Sequence, residues 1–147
     1  EKYFNDAIAE YSKRLSRYCN LEILQVADEK TPDHASEALC VQIKEKEGER
    51  LLRLIREDAY VIALAIDGKS MTSEQLAGKI DGLGVRGVSH IQFIIGGSLG
   101  LSDAVLKRAD EHLSFSAMTF PHQLMRVILL EQIYRSYRII KGEPYHK

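Results

Sequence analysis

Residues 60–66 read YVIALAI, an uninterrupted apolar run of seven residues. A half-exposed strand alternates apolar and polar residues, whereas a central strand of a parallel sheet is covered by helices on both faces and is apolar throughout. The run therefore predicts a central parallel strand. Residues 67–69, Asp-Gly-Lys, are expected to end it.

Helices and strands alternate on both sides of this run. Before it, the pattern predicts an amphipathic helix over residues 3–15, a strand over Leu21–Ala27 and a charged helix over Ala35–Arg56 with a kink at Gly48. After it, we expect a helix capped by Ser73, a buried strand over His90–Ile95, a short helix from Ser102, a strand over His112–Ser116 and a helix over residues 121–140. This order predicts an α/β fold in which helices flank a parallel sheet.

The composition indicates one soluble globular domain over residues 1–147. Of the 147 residues, 45% are hydrophobic and 28% are charged, which excludes a disordered chain or a fibre. No apolar stretch approaches the roughly 20 residues that cross a bilayer, and no signal peptide is evident, so the cytoplasm is the expected compartment. Cys19 and Cys40 have neither redox nor zinc spacing, and the five histidines lack a metal-binding motif, so we expect no metal.

Charge is distributed unevenly along the chain, although the net charge is only −1. Residues 28–58 hold nine acidic and six basic residues, whereas residues 126–147 hold five basic and two acidic residues. The basic C-terminal end is explained equally well by contact with phosphate groups or by a solvated helix end.

Residues 96–100, GGSLG, follow a predicted buried strand and precede a helix. Ligands of open α/β sheets bind beyond the carboxyl ends of the strands, and a glycine there lets a ligand approach the backbone amides. The segment is at least a tight turn, and Gly96 is a candidate ligand contact. The spacing matches neither the dinucleotide-binding motif nor the P-loop.

The same five residues also fit the GxSxG motif of serine hydrolases, with Ser98 as nucleophile. Its partners would be Asp103 or Asp110 together with His112 or His122. Few residues remain after Ser98 to build such a fold, so a small serine hydrolase is an alternative to a ligand-binding loop.

The C-terminal helix has two faces of different character. Glu131, Arg135 and Arg138 form a polar stripe that should be solvated, with Glu131 and Arg135 as an i,i+4 pair. Arg126 lies one turn after His122 among apolar neighbours, where its guanidinium requires either an ion-pair partner or an anionic substrate. Apolar residues surround the rest of this helix, which predicts a second packing surface, most simply in a symmetric dimer.

Residues 112–121, HLSFSAMTFP, form an unusually apolar loop. Phe115, Met118 and Phe120 are expected either to wall a flat aromatic ligand or to pack in the core.

Four segments together resemble a known family: residues 93–100 FIIGGSLG, 113–126 LSFSAMTFPHQLMR, 131–135 EQIYR and 142–147 GEPYHK. The chain resembles the bacterial large-subunit (23S) rRNA pseudouridine N3-methyltransferases of the SPOUT class over nearly its whole length. Members of that family begin with an additional strand, so the single domain over residues 1–147 is expected to lack it.

The resemblance implies a parallel sheet with a C-terminal trefoil knot and a homodimer that acts on 23S rRNA within the ribosome. It implies S-adenosylmethionine as cofactor, contacted by Leu64, Gly96, Phe115, Ser116, Ala117, Met118, Thr119 and Phe120. It also implies that Tyr145 and His146 complete the site near the partner's cofactor.

Methyl transfer to a pseudouridine requires removal of a ring proton, and an imidazole titrates near working pH. Either His122 or His146 is the expected base, and Arg126 is expected to stabilise the ring anion or to hold a phosphate. A non-catalytic ribosome-associated RNA-binding dimer is a second alternative.

Overall fold

The computed structural model describes residues 1–146, which form five helices and three strands. In chain order these are α1 (Lys2–Leu15), α2 (Glu37–Leu54), β1 (Tyr60–Ser70), α3 (Ser73–Val85), β2 (Ile91–Ile94), α4 (Asp103–Arg108), β3 (Glu111–Ser114) and α5 (His122–Ile140). Within this range no helix is long and apolar enough to span a bilayer.

The elements group into two compact units that interleave along the sequence. The helical unit comprises residues 1–23, residues 71–88 and the chain from residue 120 onward, and it contains α1, α3 and α5. The sheet unit comprises residues 24–70 and 89–119, and it contains all three strands with α2 and α4. The single domain over residues 1–147 stays a prediction.

The sheet unit contains a parallel sheet with strand order β2-β1-β3. β1 pairs with β2 from Tyr60↔Ile91 to Ala63↔Ile94, and with β3 through Leu64↔Leu113. Residues 61–63 of the apolar run are at most 1% exposed. The run is therefore the central strand of a parallel sheet, as predicted.

One face of this sheet is covered by α2 and α4. Leu51 and Leu52 of α2 and Leu106 of α4 pack against a buried cluster that includes Val61, Ala63 and Val105. Burial of each large aliphatic side chain contributes about 1.5–3 kcal/mol to folding. The predicted α/β architecture, with helices packed on a parallel sheet, is confirmed.

β1 continues beyond the predicted end at residues 67–69. Leu64 and Lys69 both have Leu113 as register partner, so residues 65–68 bulge out of the ladder. A Cβ added to Gly68 would lie 2.7 Å from the backbone carbon of His112. Glycine at this position allows β1 to approach β3 closely, which explains why the segment does not end the strand.

The predicted strand over Leu21–Ala27 is wrong, because no described residue pairs with it in a ladder. α2 instead holds the end of this segment and the residues after it by side chains. The Arg50 guanidinium donates to the Ala27 carbonyl at 2.8 Å, and the Glu29 N–H donates to Glu47 Oε2 at 2.9 Å. These bonds satisfy backbone groups that a neighbouring strand would otherwise satisfy.

Two smaller predictions also need correction. α2 runs without a break through Gly48, where a Cβ would lie 2.2 Å from Ser102 Oγ, so this glycine permits close helix packing and does not produce a kink. The cap of α3 is Thr72 rather than Ser73, in a capping box with Gln75. The short helix predicted from Ser102 is α4, which begins at Asp103 with Ser102 as its cap.

In the helical unit, α1 and α3 both pack on α5. The buried hydrophobic residues are Leu15 of α1, four residues of α3 and Leu129, Leu130, Ile133 and Tyr134 of α5. These two helices supply packing surface for the apolar sides of α5. The apolar character of α5 therefore does not by itself require a dimer, and the dimer stays a prediction.

Candidate active site

Three predicted cofactor contacts lie at the carboxyl ends of adjacent strands. Leu64 is paired with Leu113 near the end of β3, and Ala63, the residue before it, is paired with the last residue of β2. Gly96 lies two residues beyond β2 and Phe115 directly follows β3. Since β1 lies between the other two strands, Leu64, Gly96 and Phe115 line one edge of the sheet. This is the edge at which α/β sheets bind ligands.

The glycine loop, residues 96–100, is a tight turn closed on itself. The Gly100 N–H donates to the Gly97 carbonyl at 3.1 Å, and Gly100 has a φ of +90°, which favours glycine. A Cβ on Gly96 would lie 2.8 Å from the carbonyl carbon of Gly100 and 3.0 Å from Leu101 Cδ2. The space that a side chain of Gly96 would occupy is therefore filled by the loop itself, so the turn requires glycine at this position. Contact of Gly96 with a ligand stays a prediction.

Ser98 does not have the geometry of a hydrolase nucleophile. It has an ordinary negative φ and is exposed in the turn, and α4 begins only at Asp103, whereas a nucleophile elbow is strained and leads directly into a helix. Asp110 accepts the Val61 N–H at 2.8 Å, and His112 Nε2 bonds the Leu106 carbonyl at 2.7 Å. Within residues 1–146 no side chain forms a hydrogen bond with Ser98.

The loop after β3 is held by the hydroxyls of Ser114 and Ser116. Ser114 is buried and donates to the Ser116 carbonyl at 3.1 Å, and the Ser116 hydroxyl accepts the Met118 N–H at 2.9 Å. Ala117, Met118 and Thr119 are exposed, Met118 by 74%. The core-packing interpretation is therefore wrong for Met118, whereas Phe115 and Phe120 are half-buried.

Glu47 of α2 lies against the glycine loop, although the sequence did not indicate it as a site residue. Its side chain is buried, with the residue 7% exposed, and a Cβ on Gly97 would lie 3.1 Å and 3.2 Å from its two carboxylate oxygens. The carboxylate thus places a negative charge next to the backbone of residue 97. The sequence carries no signal for this role, because the pattern of a charged helix does not show which of its glutamates is buried.

The helical unit carries the predicted catalytic residues. α5 begins at His122, and Arg126 follows one turn later; both are half-buried. Among the described residues, none forms a hydrogen bond or ion pair with Arg126. The buried ion pair, which was one explanation for Arg126, is therefore not found in residues 1–146, and a guanidinium near the positive end of a helix favours an anion.

The C-terminal residues fold back along α5. The Tyr145 hydroxyl donates to Glu131 Oε2 at 2.8 Å, and its ring meets the Tyr134 ring edge-on with centroids 5.0 Å apart. Burial, and then the hydrogen bond to Glu131, raises the pKa of Tyr145. Arg135 contacts the same ring, with its guanidinium carbon 4.8 Å from the centroid.

His146 lies between a cation and a carboxylate. Arg135 Nη1 is 3.0 Å from His146 Nδ1, and His146 Nε2 contacts Glu74 Oε1 of α3. A guanidinium only donates, so Nδ1 accepts and Nε2 carries the proton that Glu74 accepts. A backbone hydrogen bond within Glu74 and then the contact with His146 lower the pKa of Glu74.

The polar stripe of α5 is not solvated as predicted. Arg135 donates to both oxygens of Glu131, at 3.2 Å and 2.7 Å, and these side chains are only 24% and 18% exposed. The i,i+4 spacing predicted the pair itself correctly. The return of the chain end, which buries the pair, had no local sequence signal.

The four predicted catalytic side chains do not form one cluster within the described chain. Tyr145 and His146 contact α5 at Glu131 and Arg135, five and nine residues after Arg126, or about 8 Å and 14 Å along the helix axis. In residues 1–146 no group of three His, Cys, Asp or Glu side chains converges as a metal site requires.

Comparison with known proteins identifies the family of this chain. Residues 1–146 match the family model described as "Predicted SPOUT methyltransferase". The chain belongs to the SPOUT methyltransferase family. It is 74% identical to the Ribosomal RNA large subunit methyltransferase H of Bifidobacterium adolescentis, and 63% and 61% identical to proteins of that name from Clostridium beijerinckii and Bacillus pumilus. Each match covers all 147 residues of this chain and 92% of the relative.

Family membership confirms the resemblance that the four sequence segments carried. It identifies the chain as a methyltransferase, and together with the geometry of Ser98 it leaves the serine hydrolase without support. The trefoil knot and the roles of individual site residues stay predictions.

Proposed function

We propose that this SPOUT methyltransferase uses S-adenosylmethionine to methylate N3 of a pseudouridine in 23S ribosomal RNA, as a homodimer in the cytoplasm. The names of the relatives, at 61–74% identity over the whole chain, support a large-subunit rRNA substrate. The observation that carries the proposal is the alignment of Leu64, Gly96 and Phe115 at one edge of the sheet.

The residues at this edge fit the proposed cofactor. The half-buried Phe115 and the exposed Met118 offer apolar surfaces for the faces of an adenine. When bound, S-adenosylmethionine supplies an electrophilic methyl group on a positively charged sulfur. The buried Glu47 carboxylate beside Gly97 favours a positive charge on this side of the sheet.

The reaction forms a bond between N3 and the methyl carbon, breaks the bond between that carbon and sulfur, and transfers the N3 proton to a base. His122 and His146 are the candidate bases. Both ring nitrogens of His146 have partners, Arg135 and Glu74, so this histidine would have to exchange one of them before accepting a proton. Arg126 stabilises the negative charge that develops on the ring, because no ion pair within residues 1–146 neutralises its guanidinium.

We propose that Tyr145 and His146 act at the partner's cofactor in the homodimer. Within one chain these residues contact α5 about 8–14 Å beyond Arg126, so a second chain is the simplest means of assembling all four side chains. Glu131, Arg135 and Glu74 would then position the chain end for this purpose.

Transfer of a radiolabelled methyl group from S-adenosylmethionine to ribosomes that lack the modification tests the proposal. We expect label in 23S rRNA at a pseudouridine, located by nuclease digestion and mass spectrometry. Ribosome binding without label would contradict methyl transfer and support the non-catalytic RNA-binding dimer. Thermal stabilisation by S-adenosylmethionine, about 2.7 kcal/mol at 100 times the dissociation constant, provides an independent readout of cofactor binding. Inactivation by a serine-reactive phosphonate would instead support the hydrolase.

A further inference from the structure

The two units of the chain carry opposite net charges. The helical unit contains 11 Lys and Arg residues and 8 Asp and Glu residues, a net charge of +3. The sheet unit contains 9 basic and 13 acidic residues, a net charge of −4. A polyanion such as RNA would therefore be attracted to the helical unit and repelled by the sheet unit.

Exposed cations of the helical unit gather where α1 and α5 end. The Tyr18 ring stacks on the Tyr137 ring, with centroids 5.5 Å apart and planes inclined by 6°, and this contact brings the two helix ends together. Arg138 donates to the Tyr18 hydroxyl at 3.4 Å and pairs with Glu143 at 3.2 Å. Arg17 and Lys141 both lie close enough to Glu143 to lower its pKa, after the larger effect of the Tyr18 hydrogen bond.

Three cations at the ends of α1 and α5 remain available to a ligand. Lys13, Arg17 and Lys141 are exposed, and none of them forms an ion pair with a described residue. In contrast, Arg14 is paired with Glu10, and Arg138 with Glu143. The acidic residues of this surface are thus already neutralised by other arginines.

A groove of about 680 Å³ is lined by the last turn of α1 and the segment that follows it, and Arg17 is one of its lining residues. Its polar lining includes Ser12, Ser16, Arg17, Tyr18 and Asn20. The Arg17 guanidinium carbon lies 5.6 Å from the centroid of the Tyr18 ring, which presents the charge at the groove in a defined orientation. Hydroxyl, amide and guanidinium groups are the donors that proteins use for phosphate and sugar contacts.

We propose that this groove, with Lys13, Arg17 and Lys141, binds the phosphate backbone of ribosomal RNA away from the reacting nucleotide. The inference rests on the proposed function, because it assigns a docking surface to the same substrate. Lys141 follows Arg126 by 15 residues, about 22 Å along the helix direction, which exceeds the screening length at physiological salt. Exposed lysines favour RNA over a protein partner, since protein interfaces are depleted in lysine.

The test compares two triple variants that lose the same charge. One is Lys13→Gln, Arg17→Gln and Lys141→Gln; the matched control removes three exposed cations of the sheet unit, Lys46→Gln, Arg53→Gln and Lys107→Gln. Binding to 70S ribosomes is measured between 50 and 300 mM salt. We expect the groove variant to bind about 10–100-fold more weakly at low salt. The negative slope of log K against log salt should become shallower by roughly 2–3, which is about 0.7–0.9 for each lost phosphate contact.

The control variant should bind within about twofold of the unaltered chain, and both variants should keep their affinity for S-adenosylmethionine and their kcat at saturating ribosomes. Equal weakening of both variants would overturn the inference, because it would indicate a general charge effect. Weaker binding with an unchanged slope would also overturn it and would indicate a protein contact.

If the triple variant unfolds, Lys13→Gln and Lys141→Gln are tested singly, and each should make the negative slope shallower by about 1. Absence of methyl transfer by the unaltered chain would count against the proposed function alone, since binding is measured separately.

Discussion

The sheet unit and the helical unit position their functional residues by different means. In the sheet unit, the backbone ladder places Leu64, Gly96 and Phe115 side by side, and the connecting loops close through backbone groups and two serine hydroxyls. In the helical unit, side-chain contacts place the chain end, through Glu131, Arg135 and Glu74.

This difference determines which substitutions each unit tolerates. A site built from backbone is sensitive to an added Cβ but tolerates many side-chain changes away from its glycines. A site built from side-chain pairs loses its geometry when one partner is truncated, because the remaining polar group is left unsatisfied. Substitutions in one unit should therefore leave the function of the other intact.

The strongest test of this separation is Arg126→Ala. Loss of a group that stabilises developing charge is expected to reduce methyl transfer by about 100-fold or more, whereas the affinity for S-adenosylmethionine should be unchanged. Arg86→Ala, which removes another arginine of the helical unit from an exposed position, is the control. Near-normal methyl incorporation would refute the role of Arg126, and a parallel loss of cofactor affinity would make the residue structural.

A second test asks which chain supplies the tail. Deletion of residues 145–147, which leaves Glu143 and its contacts in place, should also reduce methyl transfer by about 100-fold. If the tail acts at the partner's site, mixing this deletion with Arg126→Ala restores about a quarter of the activity, since half of randomly formed dimers are mixed and each holds one complete site. Mixtures that stay inactive, although exchange of subunits is confirmed by light scattering and mass spectrometry, would exclude a shared site.

The same contrast explains what the sequence alone could predict. Hydrophobic patterning is local, so the run at residues 60–66 predicted the central strand and the parallel sheet correctly. The carboxyl ends of parallel strands necessarily meet at one edge, so the juxtaposition of Leu64, Gly96 and Phe115 followed from that prediction. The pattern failed at Leu21–Ala27, because a strand also requires a neighbouring strand and the described chain offers none.

Contacts that depend on the path of the chain could not be predicted. Tyr145 contacts Glu131 and His146 contacts Glu74, 14 and 72 residues away in sequence. No local period encodes such pairs, and the polar stripe of α5 was accordingly predicted to be solvated. Crowding at Gly96 was missed for a similar reason, since an isolated glycine in a sequence does not reveal which atoms surround it.

A smaller effect is expected from Gly68→Ala in the sheet unit, compared with Gly84→Ala in the helical unit. The new Cβ at Gly68 would lie within 2.9 Å of three backbone atoms of β3 and should destabilise the chain by about 2–3 kcal/mol. No described atom lies within 4 Å of a Cβ at Gly84, inside α3, where alanine should add about 0.5–1 kcal/mol. Urea unfolding measures both. Equal effects of the two substitutions would contradict the close approach of β1 to β3.

The smallest expected effect concerns the tail at alkaline pH. Burial and the Glu131 carboxylate raise the pKa of Tyr145, so the folded chain retains the phenol proton at a pH where the unfolded chain has released it. A raised pKa contributes stability that is fully present below the ordinary tyrosine value of about 10 and declines as pH rises further. The stability advantage of the unaltered chain over Tyr145→Phe should therefore be about 0.5 kcal/mol at pH 8, the size expected for a partly exposed pair, and should shrink above pH 10. Urea unfolding between pH 8 and pH 11 measures this difference, with Tyr3→Phe, which alters a ring that is 63% exposed, as the control for general alkaline destabilisation. An advantage that is constant or grows with pH would show that the Tyr145 hydroxyl does not hold the tail through its bond to Glu131.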